Sequence, residues 1–376
     1  MRVYKVVKAM LGNLQLHDDR LSVDVAQKVG VAFDYFWLRD NARDPISFDS
    51  RSHQRELYTG GVAPDIRPVE AEISSDTAQL MITWPDLDAP VAYDAAFLDG
   101  YTEVSDPMVM PAATIWNRDT LDGDRLRLPF DDVMAEGGID LMLSTLARDG
   151  FAVLTGTPCS QQSVAAIIDK VGYVRETIFG GLWEFEANED MADSAFTPKE
   201  LRPHTDGTYS HDAPGLQMLL CVDYDATGGE SIMVDGLQIA ADIKREDPAL
   251  FADMTRIGVT GLYKGDGVEL RARRPIFRLG PDGEIAQVTF NNYDRDTVRL
   301  PDADMRQLYA AIRNFEARAN APEYQWRYTL KPGEMLVFDN WRVLHGRGAF
   351  QGRRKMSGAY VNREDYESCV RMRGLC

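Results

Sequence analysis

Cysteine is scarce in this chain. The four that occur, Cys159, Cys221, Cys369 and Cys376, show no paired spacing, so neither a zinc knuckle nor a disulfide framework is signalled, and a reducing, cytoplasmic setting fits. Basic residues are in deficit, 41 Lys and Arg against 59 Asp and Glu, for a net charge of −18. Binding to a phosphate backbone works by cationic side chains displacing condensed counterions, so nucleic acid is not expected as a partner. Long apolar runs are also missing: nothing approaches the roughly 18 residues of a membrane span. The opening stretch MRVYKVVKAMLGNLQLHDD lacks the small-residue cleavage site of a secretory signal, so a soluble chain with no membrane partner is expected.

What is present is ample material for a core. The chain has 376 residues, 44% of them apolar and 10% aromatic, and a length that suits one large domain with a smaller companion. Residues 1–100 read as short strands and turns, such as the run in AQLMITWPDLDAP, and suggest a small β-rich domain. From 101 onward a polar connector leads to FDDVMAEGGIDLMLSTLARDG, apolar at helical spacing, and then to FAVLTGTP, a buried strand. SQQSVAAIIDKVG reads as a helix opened by Ser160 and closed by Gly172. Beyond it, LQMLLCVDY, ESIMVDG, IFRLG, IAQVTFNN, EMLVFDN and MSGAYVN are strands, broken by helical GLQIAADIKRED and DMRQLYAAIRNFEARAN. The expected class is mainly β with flanking helices, a double-stranded β-helix (jelly roll) over 101–376.

Histidine is rare, at five residues, yet one of them, His204, stands one residue from Asp206 in LRPHTDGTYS, and His345 follows far down the chain in FDNWRVLHGRGAF. Two imidazoles and one carboxylate can occupy one face of an octahedron, the arrangement of non-haem Fe(II) oxygenases. A lone histidine is more often a turn cap or a satisfied core residue. Here Arg354 lies shortly after His345, and a guanidinium buried in a strand-rich core needs an anion, for which a dicarboxylate cosubstrate serves. Ser231 could add a hydroxyl to that carboxylate, and Gly346 permits close backbone approach. The same three ligands could hold zinc in a hydrolase, a reading that leaves Arg354 without a use.

At these residues the chain resembles the 2-oxoglutarate-dependent oxygenases of the taurine dioxygenase superfamily, in particular the γ-butyrobetaine hydroxylase and trimethyllysine dioxygenase branch. FWLRDNARD, PHTDGTY, PGLQMLLC, GGESIMVDG, FNNYDRDT, FDNWRVLHGR and RKMSGAY follow in that branch's order over nearly the whole length. The resemblance implies Fe(II) on the catalytic triad His204, Asp206 and His345, with 2-oxoglutarate and O2 as cosubstrates and Arg354 and Ser231 on the distal carboxylate. It implies hydroxylation of a C–H bond with release of succinate and CO2, and a homodimer. The branch's N-terminal structural zinc is not expected, because its ligand positions match Ala42, Asp44 and Ser47, and the histidine near Asp88 is gone. Phe33, Phe36 and Trp37 are then expected to pack as core.

The resemblance also implies a small trimethylammonium substrate. Such a cation cannot donate a hydrogen bond and is best recognised by aromatic faces. Phe179, Trp183, Phe196 and Tyr360 match the branch's cage positions, with Tyr209 close by; Phe179 and Phe196 taken singly read better as ordinary core, and the four together favour a cage. At the anionic end Asn292 matches a carboxylate-reading asparagine, but Asp193 stands where the second is expected and would repel an acid. The candidates are therefore γ-butyrobetaine or its phosphonate analogue 2-(trimethylammonio)ethylphosphonate, read by Asn291, Asn292 and Arg295, with trimethyllysine or a taurine-like sulfonate as alternatives. Arg295 could equally pair with Asp294 or Asp296.

Overall fold

The computed structural model describes residues 9–103, 110–186, 198–265 and 267–376. The chain divides into two units, Met1–Pro107 and Met108–Cys376, a boundary slightly beyond residue 100.

In the first unit two three-stranded antiparallel sheets form, Leu11–Leu16, Arg20–Val25 and Lys28–Asp34 in one, and Glu70–Ile73, Gln79–Thr83 and Val91–Asp94 in the other. Leu21, Val23 and Val25 are wholly buried at every second position and share a core with Leu80, Ile82, Trp84 and Tyr93. Phe33 lies in that core, while Phe36 and Trp37 pack at its edge, Trp37 stacked on Phe33 at 5.6 Å. The short helix Tyr35–Asp40 starts where Asp34 accepts the Trp37 N–H at 2.9 Å. At the positions matching the zinc ligands, Ala42 is buried, Asp44 accepts the N–H groups of Ile46 and Ser47, and the Ser47 hydroxyl accepts from Arg39 at 2.9 Å. Arg39 is buried and also pairs with Asp86 at 2.9 Å, so its charge keeps the partners that burial demands.

The second unit is a jelly roll of two sheets. One has six strands in the order Trp183–Glu186, Phe350–Val361, Leu216–Gly228, Met335–Asp339, Phe151–Thr155 and Arg127–Pro129; the other has four, in the order Leu201–His204, Val343–Arg347, Ser231–Asp235 and Gln325–Tyr328. Two of these strands, Ser231–Asp235 and Met335–Asp339, are buried at every position because both faces are covered. In Met335–Asp339, Met335 and Val337 meet the helices Ile139–Asp149, Gln161–Val171 and Arg363–Met372, whereas Leu336 and Phe338 join Met233, Val343 and Met356 between the sheets. In Ser231–Asp235, Ile232 and Val234 meet the helices Gly236–Glu246, Pro248–Arg256 and Asp302–Ala319. Ser160 caps the Gln161–Val171 helix and Gly172 ends it. No helix among the described residues is long and apolar enough to cross a membrane.

Strand alternation then decides what faces the space between the sheets. In Phe350–Val361, Ala359 and Val361 belong to the helix-side core and Met356 to the core between the sheets, so Arg354 and Tyr360, an even number of residues from Met356, point inward. By the same period Gln217 points inward with Cys221, and Ser231, His345 and Arg347 with Met233 and Val343. One shared interior thus collects polar side chains from four strands.

Candidate metal centre and its surroundings

His204 ends its strand and stands directly opposite His345, their ring centroids 4.4 Å apart. The pairing carries a register shift between Leu201 and His204, where one extra residue on the His204 strand accommodates Pro203, which has no N–H to give to the ladder. Opposite the irregularity is Gly346, where a Cβ would lie 2.6 Å from the Leu201 carbonyl oxygen. Glycine there lets the two histidine strands close.

The donors of His204, Asp206 and His345 lie within 4.8 Å of one another. His204 Nε2 is 3.4 Å from Asp206 Oδ1, and His345 Nε2 is 3.6 Å from Asp206 Oδ2. A metal with bonds of about 2.1 Å sets neighbouring donors about 3 Å apart, so a modest contraction onto one ion suffices. The other ring nitrogen of His204, Nδ1, lies 2.8 Å from the Arg202 carbonyl, the orienting bond typical of a ligating imidazole. His345 is held by packing, with Phe338 at 4.8 Å, and its Nδ1 has no hydrogen-bond partner among the described residues. Asn340 clamps the backbone of Asp206, accepting its N–H at 2.8 Å and donating to its carbonyl at 3.1 Å.

Electrostatics favour the deprotonated carboxylate. Burial raises the Asp206 pKa, but the His345 and His204 charges and the hydrogen bonds from His204 and Tyr360 outweigh it and hold the carboxyl below its ordinary value. Burial pushes His345 down to about 4, which leaves the imidazole neutral and able to ligate. Burial lowers His204 too, and there the Asp206 hydrogen bond and charge prevail, so it is raised. Two nitrogens and one carboxylate on one side of a buried site suit ferrous iron.

Arg354 is buried, and its guanidinium has no carboxylate partner among the described residues; burial lowers its pKa. A desolvated cation without an acid is what a dicarboxylate ligand would complete. Ser231 is buried on the same interior, in register with Arg347, a second buried arginine that sequence reading did not single out. Arg347 and Arg354 both lie against the Phe350 ring, at 4.9 Å and 6.0 Å. The period of two that aims His345 inward also aims Arg347, and this was the available signal.

Trp183 and Tyr360 come together at 5.8 Å, with Phe179 6.5 Å from Trp183 and Phe185 stacked on it at 5.4 Å. The indole lies against Gly358, where a Cβ would meet its Cη2 at 2.3 Å. Tyr209 instead faces Tyr263 at 5.4 Å. Asp193 and Phe196 lie outside the described residues. Asn291 is engaged within its loop, accepting from Tyr293 N at 2.8 Å and donating to Asp294 at 2.9 Å. Asn292 and Arg295 are exposed, with Arg295 donating to Asn292 Oδ1 at 3.2 Å; Asp294 also accepts from Thr208, and Asp296 pairs with Arg271. That loop reaches the centre through Tyr293, which sequence reading missed: its ring is 5.8 Å from His204 and its hydroxyl accepts from Arg202 N.

Residues 118–360 match the family described as taurine catabolism dioxygenase TauD, TfdA family. The chain is similar to trimethyllysine dioxygenase of Meyerozyma guilliermondii, 30% identical over 370 residues that cover 93% of this chain and 92% of the relative. It is similar also to mitochondrial trimethyllysine dioxygenase of Rattus norvegicus, 31% identical with 96% and 86% covered. Gamma-butyrobetaine dioxygenase of Pongo abelii is 28% identical, with 87% of each chain covered.

Proposed function

Because the chain belongs to the taurine catabolism dioxygenase TauD, TfdA family, we propose that it hydroxylates an aliphatic C–H bond of a small trimethylammonium zwitterion, with trimethyllysine the first candidate. The enzyme is a 2-oxoglutarate-dependent dioxygenase that uses Fe(II). His204, Asp206 and His345 would hold the iron, and Arg354 with Ser231 the distal carboxylate of 2-oxoglutarate. Iron and cosubstrate together supply the oxidising power that removes hydrogen from unactivated carbon while 2-oxoglutarate becomes succinate and CO2.

The observation that carries the choice of substrate is the aromatic wall beside the metal ligands. Trp183 and Tyr360 stand 5.8 Å apart, and the Tyr360 hydroxyl touches Asp206 at 2.8 Å. A quaternary ammonium against these rings gains about 0.5–2 kcal/mol per good contact, and its position fixes which carbon lies near the metal. Met233, Leu336, Phe338 and Met356 line the same interior and limit water there. Similarity to trimethyllysine dioxygenases of Meyerozyma guilliermondii and Rattus norvegicus, 30% and 31% identical against 28% for the γ-butyrobetaine dioxygenase of Pongo abelii, supports placing trimethyllysine ahead of γ-butyrobetaine and its phosphonate analogue. Asn292 is retained as a reader of the anionic group, with Arg295 beside it.

The test is a panel of trimethyllysine, γ-butyrobetaine, 2-(trimethylammonio)ethylphosphonate and taurine, read by succinate release and by mass for a product bearing one added oxygen. Trimethyllysine should be turned over best. Turnover of taurine alone would overturn the trimethylammonium reading. Homodimer formation and a cytoplasmic setting rest on the resemblance and on cysteine usage; light scattering of the purified protein checks the former.

A further inference from the structure

Gln217 and Tyr360 are direct cross-strand partners on the inner faces of Leu216–Gly228 and Phe350–Val361, and both are 3% exposed. Tyr360 donates its hydroxyl hydrogen to Asp206 Oδ2 at 2.8 Å, and Gln217 Nε2 donates to the Tyr360 oxygen at 3.4 Å. The direction of this chain follows from its end. An ionised carboxylate only accepts, so the phenol must donate to it, and the phenol oxygen is left as an acceptor for the amide. The Gln217 Oε1 is buried with no partner among the described residues. An apolar side chain would avoid that orphan, so an amide kept here is explained by the donor it presents.

The backbone of Asp206 is already set by Asn340, which bonds both its N–H and its carbonyl. What remains free is rotation of the carboxylate, and Tyr360, on the six-stranded sheet, holds Oδ2 while both imidazoles belong to the four-stranded sheet. We propose that Gln217 and Tyr360 form a positioning relay that fixes the rotamer of the Asp206 carboxylate, so that Tyr360 orients a metal ligand as well as forming part of the substrate wall. The proposal rests on the reading that His204, Asp206 and His345 bind the metal. It adds that metal affinity depends on a hydroxyl and an amide that do not touch the ion.

The experiment titrates the metal-free protein with Co(II), whose visible bands report affinity and coordination, in wild type, Tyr360→Phe, Gln217→Leu and the double variant. Tyr360→Phe keeps the ring and removes the hydroxyl. Loss of a partner one step behind a ligand weakens metal binding by about 10–100-fold, and that is the expected rise in the Co(II) dissociation constant. Gln217→Leu should weaken Co(II) in the same direction by less, and add nothing in the Tyr360→Phe background, because the amide acts only through the hydroxyl. Wild-type Co(II) affinity in Tyr360→Phe overturns the relay, as does a Gln217→Leu effect undiminished without the hydroxyl. Wild type that takes up no Co(II) overturns the metal reading itself, and the relay with it.

Discussion

His204 and His345 are cross-strand neighbours in direct register, with ring centroids 4.4 Å apart, and the closeness depends on Gly346 lacking a side chain. Gly346→Ala should force a Cβ against the Leu201 carbonyl and the Pro203 nitrogen and separate the two strands. Overpacking of this kind costs about 1–3 kcal/mol. The variant should fold, unfold at lower temperature, and bind Co(II) more weakly although all three ligands remain. His204→Ala, the comparison, should lose Co(II) binding outright; equal Co(II) affinity in Gly346→Ala and wild type would contradict the argument.

Arg354→Ala removes a buried cation that has no acid partner among the described residues. A hydrogen-bonded charge of this type contributes about 2–3 kcal/mol, so the KM for 2-oxoglutarate should rise roughly 30- to 150-fold. Co(II) affinity should stay at the wild-type value, since Arg354 makes no bond to a ligand residue. Arg354→Lys should fall between, because an ammonium cannot present two parallel donors. A fall in Co(II) affinity equal to the rise in KM would assign Arg354 to the metal site instead.

Trp183→Ala takes away the largest face of the aromatic wall. Losing a cation–π contact of about 0.5–2 kcal/mol should weaken trimethyllysine binding roughly 2- to 30-fold, measured calorimetrically, with the 2-oxoglutarate KM unchanged. Trp183→Phe should restore part of the affinity. Unchanged trimethyllysine affinity in Trp183→Ala would remove the indole from the substrate site.

Asp242 links the Gly236–Glu246 helix to Tyr324 behind the four-stranded sheet. Burial raises its pKa, but hydrogen bonds from Gln238, Tyr324 and Arg245 outweigh burial and place it below the ordinary 3.8. A depressed carboxyl stabilises the fold above its unfolded pKa, and the contribution disappears as pH falls through the depressed value. Asp242→Asn should therefore lower stability at pH 7 by about 1 kcal/mol, after allowance for partial solvent screening. The two proteins should converge as pH falls from 7 through that depressed value. A constant difference across that range would mean that the charge is not what stabilises.

The candidate site was readable in proportion to how far its chemistry sits within one short segment. His204 and Asp206 share a strand end, and His345 and Arg347 share a strand, so residue type and the period of two reach them. Gln217 was not readable as a partner of Tyr360, because that contact depends on which register two distant strands adopt. Asn340 lies in FDNWRVLHGR, but its hold on the Asp206 backbone exists only once the fold brings the two together. Asn291 and Arg295 were read as candidate binders of anionic oxygens from their chemistry alone; in the fold Asn291 closes its own turn and Arg295 bonds Asn292.

The amino-acid order by itself determined the class of fold, through many short, largely apolar strand segments between a few helical stretches, and the kind of centre, through two scarce histidines and an aspartate with an arginine to follow. Those are local properties: side-chain chemistry and periodicity act over a few residues. Tertiary structure alone decided which oxygen of Asp206 meets which partner, which aromatic rings stand together, and that Arg354 is buried with no carboxylate partner among the described residues. Such relations are set by strand register and sheet packing, where a shift of one residue turns every inward side chain outward.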